Sequence, residues 1–347
     1  MKVNSSGNLL LINHKVMKSK ELIGIDVSKN VLDVFILAVS YHFTVENNPV
    51  GFAKLLETCC FKLSCNKAHL FFCFEHTGRY SWLLSIFLSE SSIVFAKVPA
   101  MDIKQSRGLT RGKSDKKDAK MIAQYANRKR DELMPTKLHA PEVGQLRQLL
   151  SLRNKLLRHR TAYKNSIKDL QDCFIEGETE FIRTTQERLI QHLNVELDNV
   201  EGKIDTIINS MPDWERNFRL MQSVKGIGPV VSRYIIIYTE NFTRFTDPKK
   251  FACYCGIAPF EYSSGSSIKG RTRLHPCANK QLKSLLNIAA MGAVRLKGEY
   301  KTYYDRRTEE GKNKMSTLNI IRNKLLFRIF AVVKRQTPYV DLTMFAA

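Results

Sequence analysis

The fold is decided by residues 21–47, ELIGIDVSKNVLDVFILAVSYHFTVEN, where three runs rich in β-branched and aromatic residues follow one another closely. Downstream, helix-like and strand-like runs alternate through NPVGFAKLLETCCFKL, AHLFFCFE, RYSWLLSIFLSE and SIVFAKVP. Three consecutive strands followed by alternating helices and strands are typical of a mixed α/β sheet. We therefore predict an α/β domain over residues 21–137, preceded by a loose tail at 1–20.

A different pattern covers residues 138–212, where apolar side chains recur mostly at heptad spacing on either side of the sequence EGETE. This spacing predicts two long helices that fold back on each other as a coiled-coil hairpin. The residues expected in the seam are Leu149, Leu152, Leu156, Tyr163, Ile167, Leu170 and Phe174, followed by Leu189, Leu193, Leu197, Val200, Ile204, Ile207 and Met211.

The C-terminal part, residues 213–335, has a mainly helical pattern, with a short tail at 336–347. Two of its apolar helices meet at Gly-Ile-Gly-Pro. This is either a plain helix turn or a helix-hairpin-helix-like element, whose backbone amides can hold a phosphate. On the second interpretation, the nucleic-acid contacts are Lys225, Gly226 and Gly228.

The stretch EYSSGSSIKGRTR, residues 261–273, has the composition of a flexible linker but lies inside the predicted C-terminal domain. It follows the apolar run FACYCGIAPF and precedes a long amphipathic segment. Two interpretations remain open at this point. The stretch is a spacer, or it is a loop that presents a serine hydroxyl to an anion, with Lys269, Arg271 and Arg273 as phosphate contacts.

The charge of the chain indicates its class of partner. Among 347 residues there are 55 Lys and Arg against 33 Asp and Glu, a formal net charge of +22. Such a surface attracts polyanions, of which nucleic acid is the commonest soluble kind. The first predicted coiled-coil helix has seven Lys or Arg between residues 145 and 168 and no acid. These are either a solvated face or a contact with nucleic acid or a partner, with Arg153 and Arg160 as candidates.

The eight cysteines are scattered and include no CxxC pair, so reduced core thiols are favoured over a zinc ribbon. No apolar run approaches the roughly 18 residues of a membrane span. We therefore expect a cytoplasmic protein.

Four carboxylates stand out as a candidate metal site. Asp26 lies within an apolar strand, where an aspartate is costly unless it is paired or functional, and Glu75 closes a later strand. Asp115 and Asp118 begin a predicted helix, and their spacing puts both on one face, although each could simply stabilise the helix start. Two strand-end acids and a helical pair form the arrangement that holds two divalent cations in an RNase H-like fold.

Taken together, these motifs resemble a known family. IGIDVSK, FEHTGRY and KSDKKDA look like the DEDD motifs of the RuvC-like domain of the IS110 group of bacterial insertion-sequence transposases, which includes the Piv-type DNA invertases. SVKGIGPVVS, FACYCGIAPFEYSSGSSIKGRTRL and ANKQLKSLLNIAAMGA resemble its C-terminal transposase domain, in the same order. The family often has SKxGN where this chain has HPCAN, so Ala278 replaces a glycine.

The resemblance implies a DNA recombinase that uses both halves of the chain. Its acids would be Asp26, Glu75, Asp115 and Asp118, holding Mg2+ or Mn2+, and its nucleophile Ser264, before Gly265. Ser263, Ser266 and Ser267 are neighbours that could be mistaken for it. The resemblance also implies an element-encoded bridge RNA that pairs with the element ends and the target DNA, a homodimer or homotetramer, and a bacterial, nucleoid-associated location.

Two other functions remain open at this stage. A RuvC-like nuclease would hydrolyse DNA with water and would survive the loss of Ser264. A non-catalytic scaffold would bind nucleic acid through its basic surfaces and would survive the loss of all four acids.

Overall fold

A five-stranded mixed sheet forms the first unit of the chain, residues 1–138. The structure is a computed structural model and describes residues 20–76, 78–106, 114–173, 179–258, 260–264, 268–273 and 278–340. The strands are β1 (Glu21–Val27), β2 (Val31–Ile36), β3 (Tyr41–Glu46), β4 (Leu70–Glu75) and β5 (Val94–Val98). Their order is β3-β2-β1-β4-β5, with β1 antiparallel to β2 and parallel to β4. The predicted mixed α/β sheet is confirmed.

Helices cover both faces of this sheet. On one face, α1 (Pro49–Leu63) and α2 (Trp82–Glu90) pack on a core that includes Ile23 and Ile25. The start of α1 is fixed by Asn48, whose side chain accepts a hydrogen bond from the Gly51 amide at 2.8 Å. On the other face, α3 (Ala100–Gln105) and α4 (Asp115–Arg128) pack on Leu22 and its neighbours. Asp26 alternates with Ile25 and therefore lies on the α4 face.

Gly24 on β1 brings α4 unusually close to the sheet. A side-chain Cβ at this position would lie 2.4 Å from the amide nitrogen of Ala123 and 2.5 Å from the carbonyl oxygen of Ala119. The missing side chain therefore allows the backbone of α4 to rest directly on β1. Asp118 immediately precedes Ala119 on the helix, and Asp26 lies two residues beyond Gly24 on the same face of the strand.

Gly24→Ala is expected to destabilise the chain by about 1–3 kcal/mol, because backbone atoms rather than flexible side chains occupy the space of the new methyl group. Urea unfolding measures this change. The matched control is Gly202→Ala, which meets nothing within 4 Å in an exposed helical position. That change should stabilise the chain by about 0.5–1 kcal/mol through helix propensity. Equal effects of the two substitutions would contradict the close contact between α4 and β1.

The second unit, residues 139–347, begins with two long helices, α5 (Pro141–Cys173) and α6 (Glu180–Asn209). They run antiparallel, since Arg153 bonds to Glu201 and Arg160 bonds to Asn194, as expected for a hairpin. Of the predicted seam residues, Leu197, Val200, Ile204 and Ile207 are all buried.

Two of the predicted seam positions are wrong. Leu152 and Leu189 are 44% and 39% exposed. In the first helix, Arg153 takes the buried position next to Leu152 and is only 8% exposed. Residues 149, 153 and 156 also follow heptad spacing, so Arg153 rather than Leu152 takes the buried position between Leu149 and Leu156.

The remaining helices enclose the main core of the second unit. They are α7 (Pro212–Gln222), α8 (Pro229–Thr239), α9 (Pro248–Tyr254), α10 (Lys280–Arg295), α11 (Glu299–Glu309) and α12 (Lys314–Arg335). Between α9 and α10 the chain forms a two-stranded antiparallel ribbon, β6 (Phe260–Ser264) and β7 (Ile268–Arg273). The linker-like stretch is therefore paired backbone within a mostly helical unit. No helix among the described residues is long and apolar enough to cross a bilayer.

Candidate metal centre and serine ribbon

The two strand acids lie side by side at one edge of the sheet. Parallel strands β1 and β4 are paired with Ile25 opposite Phe74. Asp26 and Glu75 are the next residues on each strand, so they share a level and a face of the sheet. That is the face against which α4 packs, as Leu22 and Phe71 show by their contacts with the α4 core.

The two helical acids lie in the first turn of α4. Ser114 begins the helix, and its hydroxyl accepts a hydrogen bond from the Lys117 amide at 3.3 Å. Asp115 and Asp118 follow, the first exposed and the second buried. One carboxylate oxygen from each of Asp26, Asp115 and Asp118 lies within 4.8 Å of the other two. The fold therefore brings three of the four predicted acids into one group.

The carboxylates of this group repel one another, and their oxygens are of the kind that could hold a cation. Burial, together with the charges of Asp118, Asp115 and Glu75, raises the pKa of Asp26 to about 6. Glu75 lies outside the group of three, but its charge acts on Asp26. Carboxylate oxygens are the ligands that Mg2+ and Mn2+ prefer, so the donor set fits a divalent cation of this class.

Sequence reasoning missed a fifth acid. Asp33 on β2 is paired directly with Asp26 on β1, and its charge also raises the pKa of Asp26. Its Oδ1 is 2.9 Å from Nε2 of His42, which gives this carboxylate a histidine partner. The sequence could have indicated Asp33. Strands β1 and β2 are joined by the short connection at residues 28–30, and antiparallel pairing across it places residues 26 and 33 opposite each other.

The raised pKa of Asp26 predicts a pH dependence of metal binding. A proton competes with the cation for this carboxylate, so Mn2+ affinity should rise as pH passes through about 6. Isothermal titration calorimetry at about pH 5 and about pH 7.5 measures it. In Asp26→Asn the remaining affinity should change much less between the two pH values. An identical pH dependence of Mn2+ affinity in wild type and Asp26→Asn would show that Asp26 is not the titrating ligand.

Without metal, folding stability should change with pH in the opposite direction to metal affinity. The folded-state pKa of Asp26 lies above its unfolded value, so the protonated carboxyl favours folding below the unfolded pKa. This contribution is lost as pH rises through about 6. In the presence of a chelator, the wild-type protein should therefore become less stable as pH rises through about 6. Asp26→Asn should not show this Asp26-dependent loss of stability.

Ser264 occupies the last position of β6, where its backbone pairs with Ile268 on β7. The preceding residue, Ser263, pairs with Lys269. Gly265, Ser266 and Ser267 lie outside the described residues. Arg271 and Arg273 lie on β7, and Arg273 pairs with Phe260 at the other end of the ribbon.

The base of this ribbon is fastened to α12. Asn319 and Asn323 both donate hydrogen bonds to the carbonyl of Ile257, at 2.9 and 3.0 Å. Where the chain returns, Ala278 lies against Gly256, which has φ +65; a Cβ on that glycine would be 2.6 Å from the Cβ of Ala278. Gly256 therefore leaves room for the side chain that this sequence has in place of the family's glycine.

The predicted nucleic-acid contacts fall into different environments. Arg153 is buried and bonds to Glu201 at 2.7 Å, and Arg160 bonds to Asn194 at 2.9 Å. Both side chains thus bridge α5 and α6. Gly226 has φ +88, and a Cβ there would be 2.7 Å from the Cβ of Ala293. Close packing against α10 therefore already accounts for that glycine.

The other residues of that turn are less constrained by packing. Lys225 is partly exposed and reaches the carbonyl of Lys297 at 3.4 Å. At Gly228 nothing lies within 4 Å of a built Cβ. Nucleic-acid binding by these two residues stays a prediction.

Comparison with known families identifies the chain. A model of the DEDD transposase domain of IS110, described as a transposase, matches residues 23–174. A second model, described as the transposase IS116/IS110/IS902 family, matches residues 218–305. The protein belongs to the IS110 group of transposases. The first match contains all four predicted acids, and the second contains the serine ribbon.

Individual relatives agree with this assignment. The pilin gene-inverting protein of Moraxella bovis is 25% identical over 334 residues, which are 92% of this chain and 98% of the relative. The IS1111A transposase of Coxiella burnetii is 21% identical over 65% of this chain and 68% of its own length. An IS110 protein of Streptomyces coelicolor is 26% identical over 40% of this chain and 33% of the relative. Membership of the IS110 group implies an enzyme that binds DNA and catalyses strand transfer.

Proposed function

We propose that this IS110 transposase cuts and rejoins DNA by attack of Ser264 on a phosphodiester, assisted by a divalent cation at Asp26, Asp115 and Asp118, with Glu75 beside them. The observation that carries the proposal is the group of three carboxylate oxygens within 4.8 Å of one another. Carboxylates held this close destabilise the folded chain unless a cation binds between them, so their clustering supports a role in cation binding. The serine ribbon, in the second family match, supplies a hydroxyl at the end of a paired strand.

The chemistry assigns a separate task to each half of the chain. Asp26, Asp115 and Asp118 would hold a divalent cation and fix its position. Bound there, the cation would supply neutralisation of the phosphodiester charge and stabilisation of the displaced oxygen. The Ser264 oxygen replaces one DNA oxygen on phosphorus, and the displaced DNA hydroxyl takes up a proton as the serine gives one up. The resulting protein–DNA ester preserves the phosphodiester energy, so a second DNA hydroxyl can reverse the step without ATP.

A bridge RNA and a second subunit complete the proposal. The net charge of +22 suits a protein that binds several polyanionic strands together. The RNA would pair with the element ends and the target, and a homodimer or homotetramer would hold both DNAs. Size-exclusion chromatography with light scattering, with and without RNA transcribed from the flanking sequence of the element, tests this part separately from the chemistry.

A covalent-trapping assay tests the serine. Wild type, Ser264→Ala and the neighbouring control Ser263→Ala are mixed with Mg2+, labelled element-end DNA and the flanking RNA, denatured and separated on a gel. The proposal predicts a labelled protein–DNA adduct in wild type and Ser263→Ala and none in Ser264→Ala. Undiminished cleavage by Ser264→Ala without an adduct would establish the alternative, a RuvC-like nuclease that uses water. If the chain neither cleaves nor joins DNA, and binds it equally well after the loss of all four acids, the non-catalytic scaffold is the better account.

A further inference from the structure

The backbone pairing between β1 and β4 ends just before the two strand acids. Ile25 pairs with Phe74, and Asp26 and Glu75 are the next residues on their strands. Each acid is still paired with the strand on its other side, so the opening lies between β1 and β4. Its width sets how close the two carboxylates come, and the charge of Glu75 contributes to the raised pKa of Asp26. Whatever holds this opening therefore bears on the metal centre.

Asn47, which follows β3, joins the two segments of chain that leave β1 and β4 at this edge. Its side-chain Nδ2 donates to the carbonyl of Ser28 at 2.8 Å and to the carbonyl of Tyr80 at 3.1 Å. Ser28 is the first residue after β1, and Tyr80 lies in the turn between β4 and α2. The backbone amide of Asn47 also donates to the carbonyl of Asn30, at 2.8 Å, in the connection between β1 and β2. One residue thus fastens both segments across the opening.

The amide group of Asn47 is held in one orientation by these contacts. Two carbonyl oxygens face its nitrogen, and carbonyls cannot bond to the side-chain oxygen. That oxygen, Oδ1, is buried, and among the described residues no donor reaches it. A buried acceptor without a partner is costly, and an apolar side chain here would avoid the cost but could not join the two segments. The contacts of Nδ2 therefore account for the amide.

The turn that leaves β4 is anchored at both ends. At its start, the amide of His76 donates to the carbonyl of Val98 on β5 at 2.9 Å. At its end, Ser81 is fully buried, and its hydroxyl donates to the carbonyl of Gly78 at 3.3 Å. A short turn held at both ends has little freedom to absorb a displacement. A shift at the Asn47 contact is therefore expected to reach the acid at the end of β4.

We propose that Asn47 is a positioning residue of the metal centre: its amide closes the opening between β1 and β4 and thereby sets the separation of the Asp26 and Glu75 carboxylates. The inference rests on the cation site proposed above and deepens it, because it gives Glu75 a fixed place beside the three clustered acids. Asn47 itself touches neither the cation nor DNA in this role. Residues that orient metal ligands from outside typically account for roughly 10–100-fold in metal affinity or activity.

Calorimetric titration of the full-length chain with Mn2+ tests this role without DNA. Asn47→Ala should weaken Mn2+ binding by about tenfold or more. The matched control is Asn48→Ala, since the Asn48 side chain begins α1 by accepting a hydrogen bond from the Gly51 amide at 2.8 Å. Its loss removes a helix cap, and so costs stability, but it removes neither contact across the opening. Asn48→Ala should keep Mn2+ affinity within about twofold of wild type. Equal losses in the two variants would overturn the proposal.

A double-mutant cycle with Glu75 separates positioning from a general loss of stability. Glu75→Gln leaves the three clustered carboxylates in place, so Mn2+ binding should remain measurable. If Asn47 acts by placing Glu75, Asn47→Ala should change Mn2+ affinity by less than about twofold in the Glu75→Gln background. A loss as large as that in the wild-type background would overturn the proposed route through Glu75.

Hydrogen exchange of the metal-free chain gives a readout that depends on neither the cation nor catalysis. Amides of residues 28–30 and 78–81 should exchange about tenfold faster in Asn47→Ala than in Asn48→Ala, since local opening is limited by the contacts that hold each segment. Equal protection of these segments in the two variants would overturn the proposal.

Failure of the metal centre and failure of this role give different results. Absence of Mn2+ binding by the wild-type chain would overturn the metal centre, and with it the role of Asn47. Wild-type Mn2+ affinity in Asn47→Ala would overturn the role of Asn47 alone and would leave the metal centre standing. The outcome of the trapping assay for Ser264 affects neither measurement.

Discussion

Asp118→Asn is expected to reduce DNA strand transfer by about 10³-fold or more while DNA binding persists. The substitution keeps the shape of the side chain but removes one of the three negative oxygens that lie within 4.8 Å of one another. The proposed cation, which would supply several kcal/mol to the reaction, would then be held too weakly, and each 1.4 kcal/mol corresponds to about tenfold in rate. Single-turnover joining of labelled element-end DNA measures the rate, and fluorescence anisotropy measures binding.

The matched control for this prediction is Asp33→Asn. Asp33 is paired with Asp26 across the hairpin and bonds to His42, but it lies outside the group of three carboxylates. Its loss should therefore leave the rate within about tenfold of wild type, since it affects the centre only through charge. If Asp33→Asn lost as much activity as Asp118→Asn, the metal centre would have to include Asp33 on β2 beside Asp26 on β1.

Glu201→Ala is expected to destabilise the helical unit by about 3–5 kcal/mol, because it leaves two buried guanidiniums without their shared carboxylate. Arg153 donates to Glu201 at 2.7 Å, and Arg233 bonds both to Glu201 and to Asp205. Burial disfavours the charged form of Glu201, but both arginines outweigh this and hold its pKa below the ordinary range. Thermal unfolding followed by circular dichroism at about pH 7 measures the loss.

The control for this prediction is Glu187→Ala on the same helix. Glu187 is 44% exposed and pairs with Arg183, one turn away. An exposed pair of this kind contributes less than about 1 kcal/mol, so the control should unfold close to wild type.

Arg153→Ala should also lower the stability of the helical unit, and it should leave the salt dependence of DNA binding unchanged. Wild-type stability of Arg153→Ala with a reduced salt slope would restore the earlier interpretation of Arg153 as a nucleic-acid contact.

The sequence predicted the sheet and singled out the acids because both stand out in local patterns. Strands β1 and β4 are short apolar runs, in which Asp26 and Glu75 stand out, and Asp115 and Asp118 follow the helix-start residue Ser114. The contact between the two elements depends on Gly24, whose missing side chain has no local signature. Only the packing of α4 on β1 explains why Asp118 reaches Asp26.

The environment of Arg153 and the strand structure around Ser264 depend on partners that are distant in the sequence or not evident from local composition. In α5 a charge run suggested a solvated or nucleic-acid-binding face, yet Arg153 is buried because Glu201, 48 residues away, neutralises it. The stretch around Ser264 had the composition of a linker, and pairing between β6 and β7 gave it strand structure. Small polar residues carry little β-propensity, so local composition could not indicate the ribbon.

The central claim, that Ser264 forms an ester with DNA at a cation-dependent step, is tested most directly by locating the adduct. Wild-type protein, element-end DNA, flanking RNA and Mg2+ are mixed, denatured and digested with protease and nuclease, and the modified peptide is sequenced by mass spectrometry. We predict a nucleotide on Ser264, absent when Mg2+ is chelated and absent in Asp26→Ala. Cleaved DNA without any modified serine, or an adduct on another residue that persists in Asp26→Ala, would contradict the account.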